Sequence, residues 1–367
     1  MTSPRPRPGI LEIVPYVGGK AGSAGAKPVA KLSSNESPLG PSPAAAAAYR
    51  ELAGELHRYP DGGSAQLRQA IARRHNLDPE RIVCGAGSDE LIALLVRAYA
   101  GPGDEVLYSR HGFLMYPLAA LAAGAHPVAA PERDLKADVD ALLEHVTSRT
   151  RLVFLANPNN PTGSYLTGAE MRRLRAALPA DAILVIDAAY AEYAEAPDYD
   201  SGVELAGSTA NTVALRTFSK LYGLAALRLG WLTAGPDIVD VMNRVRGPFN
   251  VSLPAQAAGV AALADEAHAE KARAHNRIWL PWLEHELAAL GLHTYPSIGN
   301  FLLLEFPHGA GRNAAAANAY LEAEGVIPRQ MGAYGLPDCL RISIGLEEEN
   351  RRLVAALAGF VAGRPHA

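Results

Sequence analysis

Short apolar runs recur along the first two thirds of the chain, and helical apolar spacing lies between many of them. The runs predict strands at 81–84, 105–108, 128–130, 152–156, 182–187 and 212–216. The helical spacing predicts helices after Pro43 and at 67–75, 89–100, 113–123 and 169–178, with Ser64 as an N-cap. Alternating strands and helices are typical of a parallel sheet with helices on both faces. Because 183–186 is apolar without alternation, as in strands buried on both sides, we predict an α/β fold with a mainly parallel central sheet.

The pattern changes after about residue 250. A helix-rich stretch covers 254–290, and it is followed by a strand at 301–305 and a helix at 313–324. Two short strands, 326–329 and 340–344, and a terminal helix, 347–361, complete the pattern. We therefore predict an N-terminal arm (1–35), a large domain (36–250) and a smaller α+β domain (251–367).

Composition excludes several classes of protein. The 367 residues are 49% hydrophobic, and 34 basic against 38 acidic residues give a net charge of −4. This balance argues against disorder and against nucleic-acid binding. Cys84 and Cys339 are too few for a disulfide scaffold or a thiolate zinc site, and the histidines lack metal-ligand spacing, so we predict no metal. Residues 1–10 hold no apolar core and no run is long enough to span a membrane, which predicts a cytoplasmic protein without a membrane partner.

Polar residues follow four of the predicted strands, at the edge where open α/β sheets bind ligands. Taken singly, each has a structural explanation: a helix cap, a turn or a solvated surface lysine. Together they place an amide, a carboxylate, a phenol, two hydroxyls, a lysine and a glycine turn at one edge of the sheet: 85–89, 157–163, Asp187 with Tyr190, and 217–220.

This combination describes a pyridoxal phosphate site, which needs a lysine for a Schiff base and a carboxylate for the pyridinium nitrogen. Lys220 and Asp187 fill these two roles. Asn160 and Tyr190 can donate to the ring oxygen. A helix N-terminus, a cation and hydroxyl donors suit the phosphate, and the candidates are Gly87, Ser88, Asp89, Arg228, Thr217 and Ser219.

The motifs Asn159-Asn160-Pro161-Thr162-Gly163, Asp187-x-x-Tyr190 and Ser219-Lys220-x-x-Gly223-Leu224 with Arg228 resemble the fold-type I pyridoxal phosphate aminotransferases. Five further segments are similar to the branch of that family that acts on histidinol phosphate: 34–42, 59–62, 85–90, 246–250 and 340–345. The resemblance runs from about Pro8 to the C-terminus. Related aromatic aminotransferases share most of these segments.

The resemblance implies further roles for named residues. Lys220 would carry the Schiff base and move the proton between the substrate α-carbon and the cofactor, and Phe113 would stack on the cofactor ring. Tyr59 would reach the cofactor phosphate of a neighbouring subunit in a homodimer. Arg341 would bind the α-carboxylate of glutamate, or face the phosphate of histidinol phosphate. Arg329 would bind that phosphate, and Tyr16 and Asn250 would line the pocket.

The implied reaction interconverts histidinol phosphate and 2-oxoglutarate with imidazole-acetol phosphate and glutamate. It runs in two half-reactions and is a step of histidine biosynthesis. The alternatives are an aromatic amino acid aminotransferase, a threonine-phosphate-type decarboxylase, and a cofactor-binding regulator without catalysis. The chain departs from the family pattern at two places: Ala188 replaces a common Glu, and His111-Gly112-Phe113 replaces a more usual Pro-Thr-Tyr.

Overall fold

The computed structural model describes residues 6–19, 30–309 and 311–364. In chain order its helices are α1 Pro43–Glu51, α2 Ala65–His75, α3 Ser88–Tyr99, α4 Met115–Ala123, α5 Val139–Glu144, α6 Gly168–Ala177, α7 Val203–Ser208, α8 Pro236–Val245, α9 Leu253–Ala264, α10 Glu266–Ala289, α11 Ala314–Ala323 and α12 Glu347–Val361. Its strands are β1 Ala30–Lys31, β2 Ile82–Gly85, β3 Glu105–Ser109, β4 His126–Ala130, β5 Glu132–Arg133, β6 Lys136–Ala137, β7 Thr150–Ala156, β8 Ile183–Asp187, β9 Thr212–Thr217, β10 Gly230–Ala234, β11 His293–Tyr295, β12 Phe301–Glu305, β13 Val326–Ile327, β14 Arg329–Gln330 and β15 Cys339–Ser343. Within the described ranges, none of the helices combines the length and apolar character that crossing a membrane requires.

A seven-stranded sheet in the order β2-β10-β9-β8-β7-β3-β4 forms the centre of the fold. The strands β9, β8, β7, β3 and β4 are parallel to one another, and only β10 runs antiparallel to its neighbours, β2 and β9. One face packs under α3, α4 and α8, and part of the other packs under α5 and α6. The predicted mainly parallel sheet with helices on both faces is confirmed.

The C-terminal part contains a second sheet, which is antiparallel and has the strand order β11-β12-β15-β14. Helices α10, α11 and α12 bury apolar side chains against it. Strand β1, which lies in the predicted arm, pairs in parallel with β13, so the arm is hydrogen-bonded to this part of the chain. Helix α9, just after the predicted boundary at 250, packs with α1, α2 and β10. The domain boundaries themselves stay predictions.

Several elements differ from the pattern-based expectation. The strand predicted at 326–329 is two strands, because Pro328 has no N–H to donate: β13 pairs with β1, and β14 pairs with β15. Strand β10 and helix α8 were not predicted. Ser64 is the N-cap of α2, but the Asp61 carboxylate, rather than the Ser64 hydroxyl, accepts the hydrogen bond from the Ala65 amide, at 2.7 Å.

Candidate active site

The carboxyl ends of β7, β8 and β9 lie side by side in the central sheet and carry the loops predicted to hold the chemistry. Ala156 is paired with Asp187, and Asp187 is paired with Leu215, so β7 and β8 end at the same level and β9 continues two residues farther, to Thr217. They enclose a cavity of about 220 Å³. Most of the predicted site residues line it: Tyr16, Ser88, Asp89, Phe113, Asn160, Asp187, Tyr190, Thr217, Ser219, Lys220, Arg228, Arg329 and Arg341.

Lys220 lies deep in this cavity. Its side-chain nitrogen donates a hydrogen bond to the carbonyl oxygen of Ser34 at 3.2 Å and lies 5.6 Å from the centre of the Tyr190 ring. Burial lowers the pKa of Lys220 to about 8, and the positive charge of Arg341 acts in the same direction. A substantial fraction of this amine is therefore neutral near physiological pH, and a neutral amine can act as a nucleophile and as a base.

Asp187 ends β8 with its carboxylate buried. One oxygen, Oδ2, accepts a hydrogen bond from the Tyr116 hydroxyl at 2.8 Å. The other, Oδ1, is buried and has no hydrogen-bond partner among the described residues. Burial raises the pKa of Asp187 to about 6, while the Tyr116 hydroxyl opposes that rise. A buried carboxylate oxygen without a donor fits a ligand that brings a charged N–H group into the cavity.

Three hydrogen bonds connect residues of the inner wall of the cavity. The Asn35 amide donates to the Tyr190 hydroxyl at 2.9 Å. Arg341 donates to the side-chain oxygen of Asn160 and, at 2.8 Å, to the carbonyl oxygen of Ser33. Burial raises the pKa of Tyr190, so the phenol remains protonated and can donate a hydrogen bond. Arg341 is buried, and none of its hydrogen-bond partners among the described residues is a carboxylate.

Arg329 and Arg341 are direct partners across the antiparallel pair β14–β15, and both line the cavity. The Arg329 guanidinium donates to the carbonyl oxygen of Val17 at 2.6 Å and lies 5.6 Å from the centre of the Tyr16 ring. Like charges placed opposite each other on a sheet repel. An anion bound between them would relieve that repulsion.

A second group of anion-binding residues lies where β2 turns into α3. Gly87 caps α3 with a φ of +87°, and a Cβ at Gly87 would lie only 2.6 Å from the Arg228 guanidinium. Arg228 donates to the Asp89 carboxylate at 3.0 Å and to the Ser219 hydroxyl at 3.4 Å. The free N–H groups of a helix start, a guanidinium and a hydroxyl are the donors that bind a phosphate.

The segment His111-Gly112-Phe113, which departs from the family pattern, is held by its own hydrogen bonds. The His111 ring is 2.7 Å from the Glu132 carboxylate, which also accepts from the His111 backbone amide at 3.0 Å. The Asn159 amide donates to the carbonyl oxygen of His111 at 3.3 Å. These contacts fix Phe113 at the cavity wall, with its ring centre 6.5 Å from that of Tyr16.

The other three predicted residues lie outside the cavity lining. Gly87 is next to Ser88, where its lack of a side chain makes room for Arg228. The Asn250 amide donates to the Glu90 carboxylate at 2.8 Å. Tyr59 is 82% exposed and stacks on Phe249, with ring centres 4.7 Å apart.

Comparison with known proteins identifies the family of the chain. The family model "Aminotransferase class I and II" matches residues 27–357. The chain belongs to the class I and II aminotransferases. The curated histidinol-phosphate aminotransferase of Paramagnetospirillum magneticum is 59% identical over 361 residues, covering 98% of this chain and 99% of that protein. The one from Rhodospirillum centenum is 55% identical over 363 residues, covering 99% and 100%.

The fold of this aminotransferase is also similar to that of solved structures. The crystal structure of histidinol-phosphate aminotransferase from Sinorhizobium meliloti in complex with pyridoxal-5′-phosphate superposes with a TM-score of 0.88 at 31% identity, covering 96% of this chain and 97% of that one. The prediction of a fold-type I aminotransferase is therefore confirmed.

Sequence reasoning missed several residues that line this aminotransferase's cavity or support its wall. Ser33, Ser34, Asn35 and Glu36 line it from the segment between β1 and α1. Residues 34–42 carry only a family resemblance in the sequence, and the contacts of Ser33 and Ser34 are made by their backbone carbonyls, which leave no side-chain signal. Tyr116 was missed because it lies in an apolar helical pattern, although a hydroxyl in such a pattern is itself a signal for a buried hydrogen-bond partner.

Proposed function

We propose that this chain is a pyridoxal phosphate-dependent aminotransferase that interconverts histidinol phosphate and 2-oxoglutarate with imidazole-acetol phosphate and glutamate, a step of histidine biosynthesis. The observation that carries the proposal is the opposed pair of Arg329 and Arg341 in the same cavity as Lys220 and Asp187. The names of the similar proteins from Paramagnetospirillum magneticum and Rhodospirillum centenum support the choice of substrate.

The cofactor fits the residues that are present. Asp187 Oδ1 would accept the protonated ring nitrogen, Tyr190 and Asn160 would meet the ring oxygen, and Phe113 would cover one face of the ring. The phosphate would bind the start of α3 together with Arg228, Ser219 and Thr217. When bound, pyridoxal phosphate supplies a carbonyl group that accepts amines and a ring that delocalises the electrons left at the substrate α-carbon.

Lys220 would move the proton. The lowered pKa near 8 keeps part of the amine population neutral, so Lys220 can take a proton from the substrate α-carbon and return it at the neighbouring position. Asp187, which is buried beside a neutral phenol, keeps a negative charge where the ring nitrogen would lie. The segment Ser33–Glu36 lines the cavity beside Lys220, and the Ser34 carbonyl oxygen would orient the Lys220 amine.

The two arginines would hold the anionic end of each substrate. Glutamate has a carboxylate where histidinol phosphate has a phosphate ester, so one site has to bind both anions in turn. The planar guanidinium of Arg341 suits a carboxylate through two parallel hydrogen bonds. The second cation, Arg329, accounts for binding of the larger and more highly charged phosphate.

We also propose that the active unit is a homodimer in the cytoplasm. An exposed aromatic pair supports the dimer, because Tyr59 is 82% and Phe249 is 43% exposed and the two rings stack. Adjacent apolar side chains that are exposed to solvent are typical of an interaction surface. In the dimer, Tyr59 would reach the partner's cofactor phosphate. Cys84 and Cys339 are buried free thiols, as expected in a reducing compartment.

The test is glutamate formation from histidinol phosphate and 2-oxoglutarate by the purified protein reconstituted with pyridoxal phosphate. The wild type should form glutamate, and Lys220→Ala should lose at least about a hundredfold in rate, because a positioned proton-transfer group is gone. Lys271→Ala, at an exposed position of α10, is the matched control and should keep the wild-type rate. Normal turnover by Lys220→Ala, or none by the wild type, would contradict the proposal.

A further inference from the structure

Tyr116 lies behind the wall of the cavity and contacts two residues that line it, the Asp187 carboxylate and the Phe113 ring. It lies in the first turn of α4 and is 1% exposed. Its ring stacks on Phe154 of β7, with centres 4.6 Å apart and planes 14° apart. Packing therefore fixes the position of its hydroxyl.

Within the described residues, the Tyr116 hydroxyl makes one hydrogen bond, which it donates to Asp187 Oδ2 at 2.8 Å. Burial, followed by the negative charge of Asp187, raises the pKa of Tyr116 well above its ordinary value, so this phenol is a permanent donor. With Oδ2 occupied, Oδ1 is the oxygen of Asp187 that remains available to a ligand. The hydrogen bond thus distinguishes the two oxygens of the carboxylate.

The ring of Tyr116 also contacts Phe113. The two ring centres are 6.0 Å apart and the planes are at 89°, an edge-to-face contact. Phe113 lies in the segment where the chain departs from the family pattern, and a phenylalanine has no hydroxyl with which to hold itself in place. The contact with Tyr116 therefore helps to fix the angle at which Phe113 faces the cavity.

We propose that Tyr116 is a positioning residue that sets Asp187 through its hydroxyl and Phe113 through its ring, so that the carboxylate and the stacking face are held in register for one planar ligand. This inference rests on the proposed function, in which that ligand is the pyridine ring of the cofactor. Tyr116 itself need not touch the cofactor.

The proposal predicts an effect on the titration of Asp187. The titratable groups that interact with this carboxylate are Tyr116, Asp89, Lys220, Tyr190 and Tyr199. Tyr116 and Lys220 lower the pKa of Asp187, and Asp89 raises it. Removing the Tyr116 hydroxyl therefore raises that pKa. A ligand with a protonated ring nitrogen needs an ionised Asp187. As the pH falls, binding of that ligand should therefore begin to weaken at a higher pH in the variant than in the wild type.

The experiment measures the dissociation constant of pyridoxamine phosphate from the apoenzyme between pH 5 and 8. This ligand has an amine in place of the aldehyde, so it reports non-covalent binding without the bond to Lys220. Tyr116→Phe should bind about tenfold more weakly at pH 7, the loss expected for a hydrogen bond to a charged group. The pH below which binding weakens should also move upward. Tyr108→Phe is the matched control, because Tyr108 also contacts the Tyr116 ring but lies outside the cavity lining, and it should behave as the wild type.

A double variant separates positioning from general damage to the fold. In an Asp187→Asn background the carboxylate is absent, so adding Tyr116→Phe should cost much less binding than it costs in the wild type. An equal loss in both backgrounds, or a Tyr116→Phe protein with the affinity and pH profile of the wild type, would overturn the inference. If the wild-type apoenzyme itself fails to bind pyridoxamine phosphate, the proposed function is wrong and this inference falls with it.

Discussion

The side-chain nitrogen of Lys220 donates a hydrogen bond to the carbonyl oxygen of Ser34, 3.2 Å away and 186 positions earlier in the chain. Lys220 follows a strand of the central sheet, whereas Ser34 follows β1, which pairs with the C-terminal part of the chain. The cavity is therefore formed by two parts of the protein that are distant in sequence, the central sheet and the segment after β1. The burial that results is the main cause of the lowered pKa of Lys220.

Arg341 contributes to the lowered pKa, so removing its charge should raise the pKa of Lys220. The apoenzyme should react at Lys220 with formaldehyde and cyanoborohydride with a midpoint near pH 8. In Arg341→Gln the midpoint should move toward the ordinary lysine value of 10.5, because a neighbouring positive charge no longer opposes protonation. Arg341→Lys keeps the charge and should stay close to the wild type. Mass spectrometry of the Lys220 peptide measures each midpoint, and identical midpoints in all three proteins would rule out the assigned role of Arg341.

Arg228 should recognise the phosphate of the cofactor specifically. Arg228→Gln should bind pyridoxamine phosphate about tenfold more weakly, as expected for a lost charge-assisted hydrogen bond. Binding of pyridoxamine, which has no phosphate, should hardly change. Isothermal titration of the apoenzyme with the two ligands gives the comparison. If both ligands lose affinity equally, Arg228 acts on the cavity as a whole and not on the phosphate.

The buried ion pair of Arg216 and Glu192 should stabilise the fold beneath the site. The two side chains are each 6% exposed, with an N···O distance of 2.8 Å, and Arg216 lies 5.8 Å from the centre of the Trp231 ring. Glu192→Gln should lower the free energy of unfolding by about 3 kcal/mol, because it leaves a buried guanidinium without its counter-charge. Asp240→Asn breaks the exposed pair with Arg244 and should have no measurable effect. Urea unfolding measures both variants, and equal effects would contradict the account of the buried pair.

A heterodimer tests whether Tyr59 acts on the partner's site. Two differently tagged chains, Tyr59→Ala and Lys220→Ala, can be co-expressed and the mixed dimer purified through both tags. If Tyr59 reaches across, one of the two sites is intact and the mixed dimer should have about half of the wild-type activity. If Tyr59 serves its own chain, no intact site forms, and the activity should equal half of that of the Tyr59→Ala homodimer.

The sequence could predict the part of the site that depends on strand ends. Parallel strands bring their carboxyl ends to one edge, so Asp187, Asn160 and Lys220 were expected to meet, and they line one cavity. Strand 301–305 and helix 347–361 were predicted with the bounds that the structure has, because apolar spacing in these segments is regular. These are properties of local pattern and sheet geometry.

Contacts between distant segments could not be predicted in this way. The Ser34 carbonyl and the hydroxyl of Tyr116 meet Lys220 and Asp187 only after the fold is complete, and no local pattern marks a backbone acceptor. The split of 326–329 depends on which strands lie on either side of Pro328. Arg329 and Arg341 become a cross-strand pair only through this split, so the sequence alone could not show that they face each other.

The most direct test of the proposed function is a steady-state comparison of kcat/KM for histidinol phosphate, phenylalanine, tyrosine and threonine phosphate, with 2-oxoglutarate as acceptor where one is used. Histidinol phosphate should be preferred over the aromatic amino acids by at least about a hundredfold, because their smaller, singly charged carboxylate occupies Arg341 and leaves the second cation, Arg329, without a partner. Arg329→Gln should reduce that preference. Equal efficiencies for histidinol phosphate and the aromatic amino acids, or release of carbon dioxide from threonine phosphate as the fastest reaction, would contradict the account.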